Sequence, residues 1–343
     1  MNKSVQEAMT LMNSKSQETT SLHDDLRCDI LILFATSSER EKLEEAAKEL
    51  RIAFDKRYTV GPHQEKVEYF SLGNVGNNRV NAFKTEMGPF GYGGSASRAI
   101  YYRTITGATA IIQVGMAFGI DPSGQRLGDV LVSTSLIPYD LREVRAVAMP
   151  RIEYPIGELE EDYPSCPETE AADAGASPQE AMSTTETGDQ VNTHCDKEAQ
   201  KHKGIDCSDE YIVDYSRAER HEAKQFLVKM FENAKESMTN EKRGYQVFFG
   251  GMLSGGARVF SRKFVKELVN GVPQAEDGVI GGEMEGVGLL SVSQKKYPLW
   301  CIVKGISDFG DENRDQVIKE WRPIACKNSA LFVLSALMKN GTH

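Results

Sequence analysis

The chain has 343 residues, of which 40% are hydrophobic and 26% are charged, and its formal net charge is −10. This composition is typical of a soluble globular protein. No run reaches the ~18 consecutive apolar residues that a membrane span needs, and the N-terminus lacks the apolar core of a signal peptide. The six cysteines are scattered without CxxC pairs, which favours a reducing compartment, so we expect a cytoplasmic protein.

The acidity is concentrated in one segment. Residues 152–196 contain twelve Asp or Glu side chains and no Lys or Arg, and they alone account for the negative net charge. A solvated loop is the simplest interpretation of such a segment. We therefore do not read the net charge as a property of the folded body.

The first half of the chain alternates predicted strands and helices. Residues 1–27 are polar and read as a mobile arm, with room for a short helix at 5–12. The apolar run Ile30–Phe34 predicts a buried strand, and Ser37 or Ser38 would cap a helix from Glu39 onward. The next elements are strands at 67–71 and 79–87, a helix at 95–104, and strands at 108–114 and 129–133. This alternation indicates a layered α/β domain.

The pattern breaks between residues 140 and 215. Residues 164–189 are rich in Pro, Ser, Thr, Glu, Ala and Gly, a composition that buries too little apolar surface to offset the entropy of ordering. We expect a lid or a disordered insertion at about 152–210, within a single catalytic domain of residues 28–343. After it we predict a helix at 216–236, a strand at 245–251, and helices at 260–269 and 319–339.

Two acids near the C-terminal end are placed where ligands bind. Residues 283–286 read Glu-Met-Glu-Gly and open an apolar helical pattern, and a fully apolar strand at 299–303 continues to Asp308. Glu285 and Asp308 would then lie at the ends of two elements that pack side by side. Acids at strand ends next to glycines are where an open α/β sheet binds ligands.

The surroundings of Asp308 suit a general acid. Its neighbours Ile302, Val303, Ile306 and Phe309 are apolar, and a carboxyl in a dry environment has a raised pKa. A carboxyl that keeps its proton near neutrality can protonate a leaving group. The alternative is a strand-end Asp that only caps a turn, just as Glu285 alone could be a helix-start acid that interacts with the helix dipole.

The paired motifs resemble those of the nucleoside phosphorylase and nucleosidase superfamily, and of its methylthioadenosine/adenosylhomocysteine nucleosidases in particular. In that family, the Asp of the Ser-Asp motif assists the departing purine base at N7. The Glu of the Met-Glu motif binds the ribose 2′- and 3′-hydroxyls, and the Met packs against the sugar. The resemblance assigns these functions to Asp308, with Ser307 orienting it, and to Glu285 and Met284.

Further segments indicate whether water or phosphate would attack the sugar. Residues 34–39 resemble the hydrolases, in which an acid here activates water, and Glu39 is the matching residue; the alternative is an ordinary first-turn helix acid. The turn with Gly115, Met116 and Ala117 resembles the family's glycine-rich turn beside the sugar. The Arg that phosphorylases commonly carry before this turn is absent from residues 111–115. Both features favour hydrolysis.

The chain departs from the family pattern at several positions. Met116 stands where a small hydroxyl residue is usual, Lys304 replaces a common Arg among the substrate-binding residues, and Gly256 replaces an Asp. Arginines follow Gly256 and flank the insertion, and they could bind the phosphates of a nucleotide. Arg258 and Arg145 are the candidates, although each taken singly reads as ordinary surface charge.

The resemblance implies a three-layer α/β/α fold with a mixed central sheet. It implies a purine nucleosidase that hydrolyses the N-ribosidic bond of an adenosine-type nucleoside or nucleotide, such as AMP or ATP, without a metal or an organic cofactor. The alternatives are a phosphate-dependent phosphorylase, a non-catalytic nucleotide-binding signalling module, and an effector that depletes free nucleotides. The expected partner is a small purine compound rather than nucleic acid or membrane, in a homodimer or higher homo-oligomer.

Overall fold

The computed structural model describes residues 26–61, 64–146, 211–238, 244–273, 278–294 and 296–339. The expected arm, its helix at 5–12 and the insertion at 152–210 lie outside these residues, apart from Leu26 and Arg27 at the end of the arm. Most described residues belong to one compact unit. Of the second unit, Val144–Ile212, the structure describes residues 144–146 and 211–212. The division of the chain into an arm and an interrupted catalytic domain stays a prediction.

The described strands and helices follow one another in the following order. The strands are β1 Ile30–Phe34, β2 Asp55–Val60, β3 Lys66–Val75, β4 Asn78–Lys84, β5 Ala110–Gly119, β6 Val130–Pro138, β7 Glu143–Ala146, β8 Tyr211–Asp214, β9 His221–Glu222, β10 Val247–Ser254, β11 Val279–Glu283 and β12 Trp300–Asp308. The helices are α1 Ser37–Glu49, α2 Ser95–Thr106, α3 Gln225–Ser237, α4 Arg262–Gly271, α5 Gly286–Leu289 and α6 Arg314–Lys339, with a 3₁₀ turn at Leu290–Val292.

Ten of these strands form one mixed sheet, and β7 pairs with β8 in a separate two-stranded sheet. The order of the large sheet is β11-β10-β6-β12-β5-β1-β4-β3-β2, with β9 on β6. Strands β4, β1, β5 and β12 run parallel, whereas β6 is antiparallel to β12 and β3 is antiparallel to β4. The expected mixed central sheet of an α/β fold is therefore confirmed.

The sheet closes on itself at one end. Strand β11 pairs with β10 and also with β5, so β11, β10, β6, β12 and β5 form a ring. The second pairing joins Gly281 to Gly119 and Gly282 to Phe118, and a Cβ on Gly282 would collide with the Phe118 ring. A Cβ on Gly281 would collide with the Phe118 carbonyl oxygen, so this close pairing requires glycine at both positions.

The core lies along the central strands. All five residues of β1 and all nine of β12 are buried, as expected for strands covered on both faces. Helix α6 packs on β12 and β5 and also contacts α1 and α3, whereas α2 contacts α5. None of the described helices is long and apolar enough to cross a membrane.

Most predicted elements exist, but several boundaries were wrong. The predicted bounds of β1 are confirmed, and α6 begins at Arg314 rather than at Lys319. The helix predicted at 216–236 is instead the short strand β9 followed by α3. Strands β2 and β11 were not predicted, because β2 is mostly exposed and polar and β11 contains two glycines. Parallel strands β1, β5 and β12 bring their carboxyl ends to the same edge, where the candidate site lies.

Candidate active site

Glu39 lies in the first turn of α1, directly after the carboxyl end of β1. The N-cap is Thr36, whose Oγ1 accepts a hydrogen bond from the Glu39 amide at 3.2 Å. Glu39 Oε2 in turn accepts from the amides of Ala35 and Thr36 at 2.7 and 2.8 Å. This reciprocal capping box fixes the carboxylate. The expectation that Ser37 or Ser38 caps the helix was wrong, because the box pairs Glu39 with the residue three positions before it.

The second oxygen of this carboxylate faces β5 at a glycine. Glu39 Oε1 accepts from the Met116 amide at 3.3 Å. Gly115 has φ +137°, and a Cβ at this position would collide with the Glu39 carboxylate. Its carbonyl accepts from Ser329 Oγ of α6 at 2.9 Å. Only glycine has both the backbone freedom and the small size that let Glu39 approach the sheet here.

Lys304 in β12 is fully buried and gathers three carboxylates. Its Nζ donates to Glu285 Oε2 at 2.9 Å and lies 3.9 Å from both Glu39 Oε1 and Glu283 Oε2. Glu283 in turn accepts from the amides of Glu285 and Gly286 at 2.9 Å. The expectation that Glu283 opens a helix was wrong: it ends β11, and α5 starts at Gly286.

The charges around Lys304 do not balance if every group is ionised, because three carboxylates surround one ammonium. Burial raises the pKa of Glu39 and of Glu283, and the attraction of Lys304 offsets only part of that rise. Burial alone would lower the pKa of Lys304, but Glu285, Glu39 and Glu283 outweigh it, so this pKa is raised. The ammonium therefore stays charged, and Glu39 and Glu283 bind protons more tightly than exposed glutamates do.

Asp308 is the last residue of β12, four positions beyond Lys304 and hence ~13 Å further along the strand. Ser307 Oγ donates to Asp308 Oδ2 at 2.8 Å, and the Gly310 amide donates to Oδ1 at 2.9 Å. Arg314 Nε lies 3.5 Å from Oδ2. Burial raises the pKa of this carboxyl, although the two hydrogen bonds and Arg314 oppose the rise. The carboxyl therefore keeps its proton to a higher pH than an exposed Asp.

A cavity of about 310 Å³ connects these groups, which is within the range of small-molecule sites. Its lining includes most of the predicted site residues, namely Glu39, Met116, Ala117, Arg258, Met284, Glu285, Ser307 and Asp308. Lys304 and Gly115 lie behind this lining, in contact with Glu39. Arg145 belongs to β7, and its side chain lies outside the described residues.

Two arginines line the cavity that sequence analysis did not select, Arg314 and Arg322. Both belong to α6, and Arg314 is its first residue. The predicted start at Lys319 left Arg314 in a loop. Asn313 precedes the helix and is a preferred N-cap residue type, so it was the signal that could have moved the start forward and placed Arg314 close to Asp308.

The phosphorylase superfamily model matches residues 29–338. A death domain-containing ATP nucleosidase from Amphimedon queenslandica is 24% identical over 230 residues, which are 66% of this chain and 33% of that protein. This chain thus matches about a third of the length of that relative.

Solved structures share the fold. A 5′-methylthioadenosine/S-adenosylhomocysteine nucleosidase from Neisseria meningitidis, in complex with methylthio-immucillin-A, has a TM-score of 0.55 at 17% identity, covering 90% of this chain and 98% of that one. Futalosine hydrolase of Helicobacter pylori has a TM-score of 0.55 at 16% identity, covering 90% and 97%. Because the family model spans most of the sequence, the expected family is confirmed, and this protein belongs to the phosphorylase superfamily.

Proposed function

We propose that the protein is a purine nucleosidase, which hydrolyses the N-ribosidic bond of an adenosine-type nucleoside or nucleotide. One observation carries the proposal: Asp308, a buried carboxyl with a raised pKa, lines the same cavity as the carboxylates gathered by Lys304. Two similar proteins are named nucleosidases and a third is named a hydrolase, which supports hydrolysis. The name of the Amphimedon relative supports an adenine nucleotide as substrate.

Asp308 serves as the general acid. As the bond between ribose C1′ and the purine breaks, the electron pair moves to the base, which accepts a proton at N7 from the carboxyl. Ser307 donates to Oδ2 and so fixes the orientation of the carboxyl. The raised pKa of Asp308 supports this assignment, because a larger fraction of the carboxyl is protonated near neutral pH.

Glu285 binds the sugar. Its Oε2 is held by Lys304 at 2.9 Å and its Oε1 accepts from the Gly88 amide at 3.3 Å, so the carboxylate is fixed at the edge of the cavity. An ionised carboxylate can accept hydrogen bonds from both vicinal ribose hydroxyls. Met284 lines the cavity beside it and packs against the sugar. Lys304 acts on the substrate only through the carboxylates that it contacts, because its own side chain is buried.

Glu39 activates the water. The oxygen of water bonds to C1′ of an oxocarbenium-like sugar, and one of its protons passes to the Glu39 carboxylate. The raised pKa of Glu39 makes the carboxylate a stronger base. Met116 has no hydroxyl to orient the water, but Thr36 lines the same cavity. Its oxygen accepts from the Glu39 amide, which leaves its O–H available to the water.

Attack by inorganic phosphate is the alternative. A phosphorylase needs a cationic cradle, and Gln113 occupies β5 in the stretch where the family's phosphorylases carry an Arg. The Gln113 side chain is fully buried. Arg322, which lines the cavity, is the observation that favours this alternative.

A product assay separates these functions. The protein is incubated with adenosine, methylthioadenosine, AMP and ATP, with and without inorganic phosphate, and free base and sugar products are quantified. We expect free purine without added phosphate, and a loss of about 10²–10⁴-fold in kcat for Asp308→Asn, the usual contribution of one positioned acid. A ribosyl-1-phosphate that forms only with phosphate would establish a phosphorylase. If no substrate is turned over but binding is retained, the non-catalytic nucleotide-binding signalling module would be the remaining function.

Assembly and location extend the proposal. We expect a homodimer, supported by Phe90 and Tyr92, each 74% exposed on the loop after β4, where exposed aromatic side chains favour an interface. Light scattering after gel filtration measures the mass, and Phe90→Ser should shift it towards the monomer. The cytoplasmic location stays an expectation from the cysteine pattern, to be checked by fractionation.

A further inference from the structure

Three arginines line the cavity, and they differ in what surrounds them. Arg258 follows β10, Arg314 begins α6, and Arg322 lies two turns further along α6. A neutral nucleoside provides no charge for any of them. An arginine that lacks an anionic protein partner is therefore the one that can bind an anionic ligand.

Arg314 already has partners. Its Nε lies 3.5 Å from Asp308 Oδ2, and its guanidinium lies 4.8 Å from the centre of the Phe260 ring. It therefore belongs to the end of the cavity where the base would be protonated. Its Nη1 also lies 3.8 Å from Asp315 Oδ1, so it already has a carboxylate partner besides Asp308.

Arg322 has no such partner. Its Nε is buried and forms no hydrogen bond with any residue that the structure describes. It lies one helical turn before Cys326 and two before Ser329, whose Oγ donates to the Gly115 carbonyl at 2.9 Å. The Cys326 thiol is influenced by the charges of both Glu39 and Arg322. Arg322 therefore lies at the Glu39 end of the cavity.

Arg258 is also without a carboxylate partner. Its Nη2 lies 3.9 Å from Met87 Sδ, and a thioether sulfur is only a weak acceptor. The residue after Met87 is Gly88, whose amide donates to Glu285 Oε1 at 3.3 Å. Arg258 therefore lies on the side of the cavity where Glu285 would hold the ribose.

The two unpaired arginines thus lie towards the sugar end, and the paired one lies at the base end. The Arg322 Nε is buried without an acceptor among the described residues, which is costly, whereas Arg258 is exposed. Phosphate is the anion whose geometry an arginine fork fits best. The acids at this end contact Lys304 and form no ion pair with Arg258 or Arg322 among the described residues. On the basis of the proposed function, we propose that Arg258 and Arg322 bind the 5′-phosphate groups of the substrate and make the enzyme selective for nucleotides over nucleosides.

Substrate discrimination tests this proposal. The values of kcat/KM for ATP and for adenosine are measured for the wild type, Arg258→Gln, Arg322→Gln and the control Arg57→Gln, whose Arg57 lies on the exposed strand β2. Each of the first two variants should lower the ATP-to-adenosine ratio about 10- to 100-fold, the effect of one lost charge-assisted hydrogen bond. The control should keep the wild-type ratio. An unchanged ratio in both cavity variants would overturn the proposal.

A conservative variant guards against a folding defect. Arg322→Lys keeps the charge but loses the planar fork, so its ratio should lie between those of the wild type and Arg322→Gln. Melting temperatures are recorded for every variant. If Arg322→Gln alone is unstable, the ATP-to-adenosine ratios of kcat/KM for Arg322→Lys and Arg258→Gln test the proposal. Such a ratio is unaffected by partial unfolding, because both substrates are turned over by the same folded population.

Binding separates this proposal from the proposed function. Inorganic tripolyphosphate is titrated calorimetrically into wild-type and variant protein, and ATP should compete with it. Weaker binding by about tenfold or more in both cavity variants supports the subsite, even if no substrate is turned over. Equal binding to all variants overturns it, even if the nucleosidase is active. One further outcome would overturn the proposal. If the wild type forms ribosyl-1-phosphate from adenosine and Arg322→Gln does not, Arg322 binds the attacking phosphate rather than the 5′-phosphate groups.

Discussion

The charges at the centre of the cavity and those at its sugar end are balanced differently. Lys304 has three carboxylates within 4 Å, whereas Arg258 and Arg322 form no ion pair within the described residues. A buried charge with protein partners is part of the folded structure, because removing one partner leaves the others uncompensated. A charge without partners contributes to binding instead. We therefore expect stability to depend on Lys304 and substrate selectivity to depend on Arg258 and Arg322.

The strongest test of this difference is Lys304→Met. The variant keeps the volume of the side chain but leaves the surrounding carboxylates without a cation, and we expect the free energy of unfolding to fall by about 3–5 kcal/mol. Urea denaturation at pH 7.5 measures it. Lys263→Met is the control, because the Lys263 side chain is 87% exposed and such a change is worth no more than about 0.5 kcal/mol.

The pH dependence of that loss identifies its cause. Glu39 and Glu283 have raised pKa values in the folded state, so the native protein binds more protons than the unfolded chain. Their contribution to stability is full below the unfolded value of about 4.3 and is lost as pH rises through the folded value. Without Lys304 these values rise further. The deficit of Lys304→Met should therefore shrink between pH 8 and pH 5, and a constant deficit would point to packing rather than charge.

Arg314→Gln should shift the pH profile of kcat/KM. Arg314 lowers the pKa of Asp308 against the larger effect of burial, so its removal raises that pKa. Asp308, the proposed general acid, then stays protonated to higher pH, and the alkaline limb of the pH profile of kcat/KM should move to higher pH. Arg258→Gln, which removes a cation without such a contact, should leave the limb where it is. A limb that moves equally in both variants would contradict the distinction between the paired and unpaired arginines.

The smallest effect is expected from the helix cap. Thr36→Ala removes the N-cap of α1 and should cost about 1 kcal/mol of stability. Ser261→Ala removes the N-cap of α4, whose Oγ accepts from the Phe264 amide at 3.3 Å, and is the matched control. Both should lower the melting temperature similarly, but only Thr36→Ala should lower kcat, because the Thr36 hydroxyl accepts from the Glu39 amide and lines the cavity. Equal kcat values would show that the capping box does not position the base.

Sequence reasoning predicted what local patterns encode. The strand Ile30–Phe34 and the acid at the end of β12 follow from apolar runs and their boundaries, and the structure has both. Strand β2 escaped prediction because an edge strand exposes both faces and shows no alternation. The pairing of β11 with β5 depends on Gly281 meeting Gly119, residues distant in the chain, and no local pattern indicates such a contact.

The arrangement of the site was predictable only in part. Motifs identified Glu285 and Asp308, but the burial of Lys304 depends on three carboxylates delivered by α1, β11 and the turn before α5. Which arginines reach the cavity depends on where α6 starts and which face it turns to the sheet. Arg258 was selected from its position in the sequence, whereas Arg322 was missed because its neighbours in the chain carry no motif.

The closed ring of strands has a mechanical consequence. Glu283, Lys304 and Asp308 are all carried by β11 and β12, two members of the ring, in which every strand is hydrogen-bonded on both sides. Glu39 is carried by an element outside the ring, in the first turn of α1 after β1. A breathing motion that separates β1 from β5 would withdraw Glu39 and leave the other groups in register. Strand β1 is also hydrogen-bonded on both sides, to β4 and β5, but it is not part of the closed ring, so amide hydrogen exchange should be slower in the ring than in β1. In the proposed mechanism, such an opening would remove the base that activates water while Glu285 still binds the ribose.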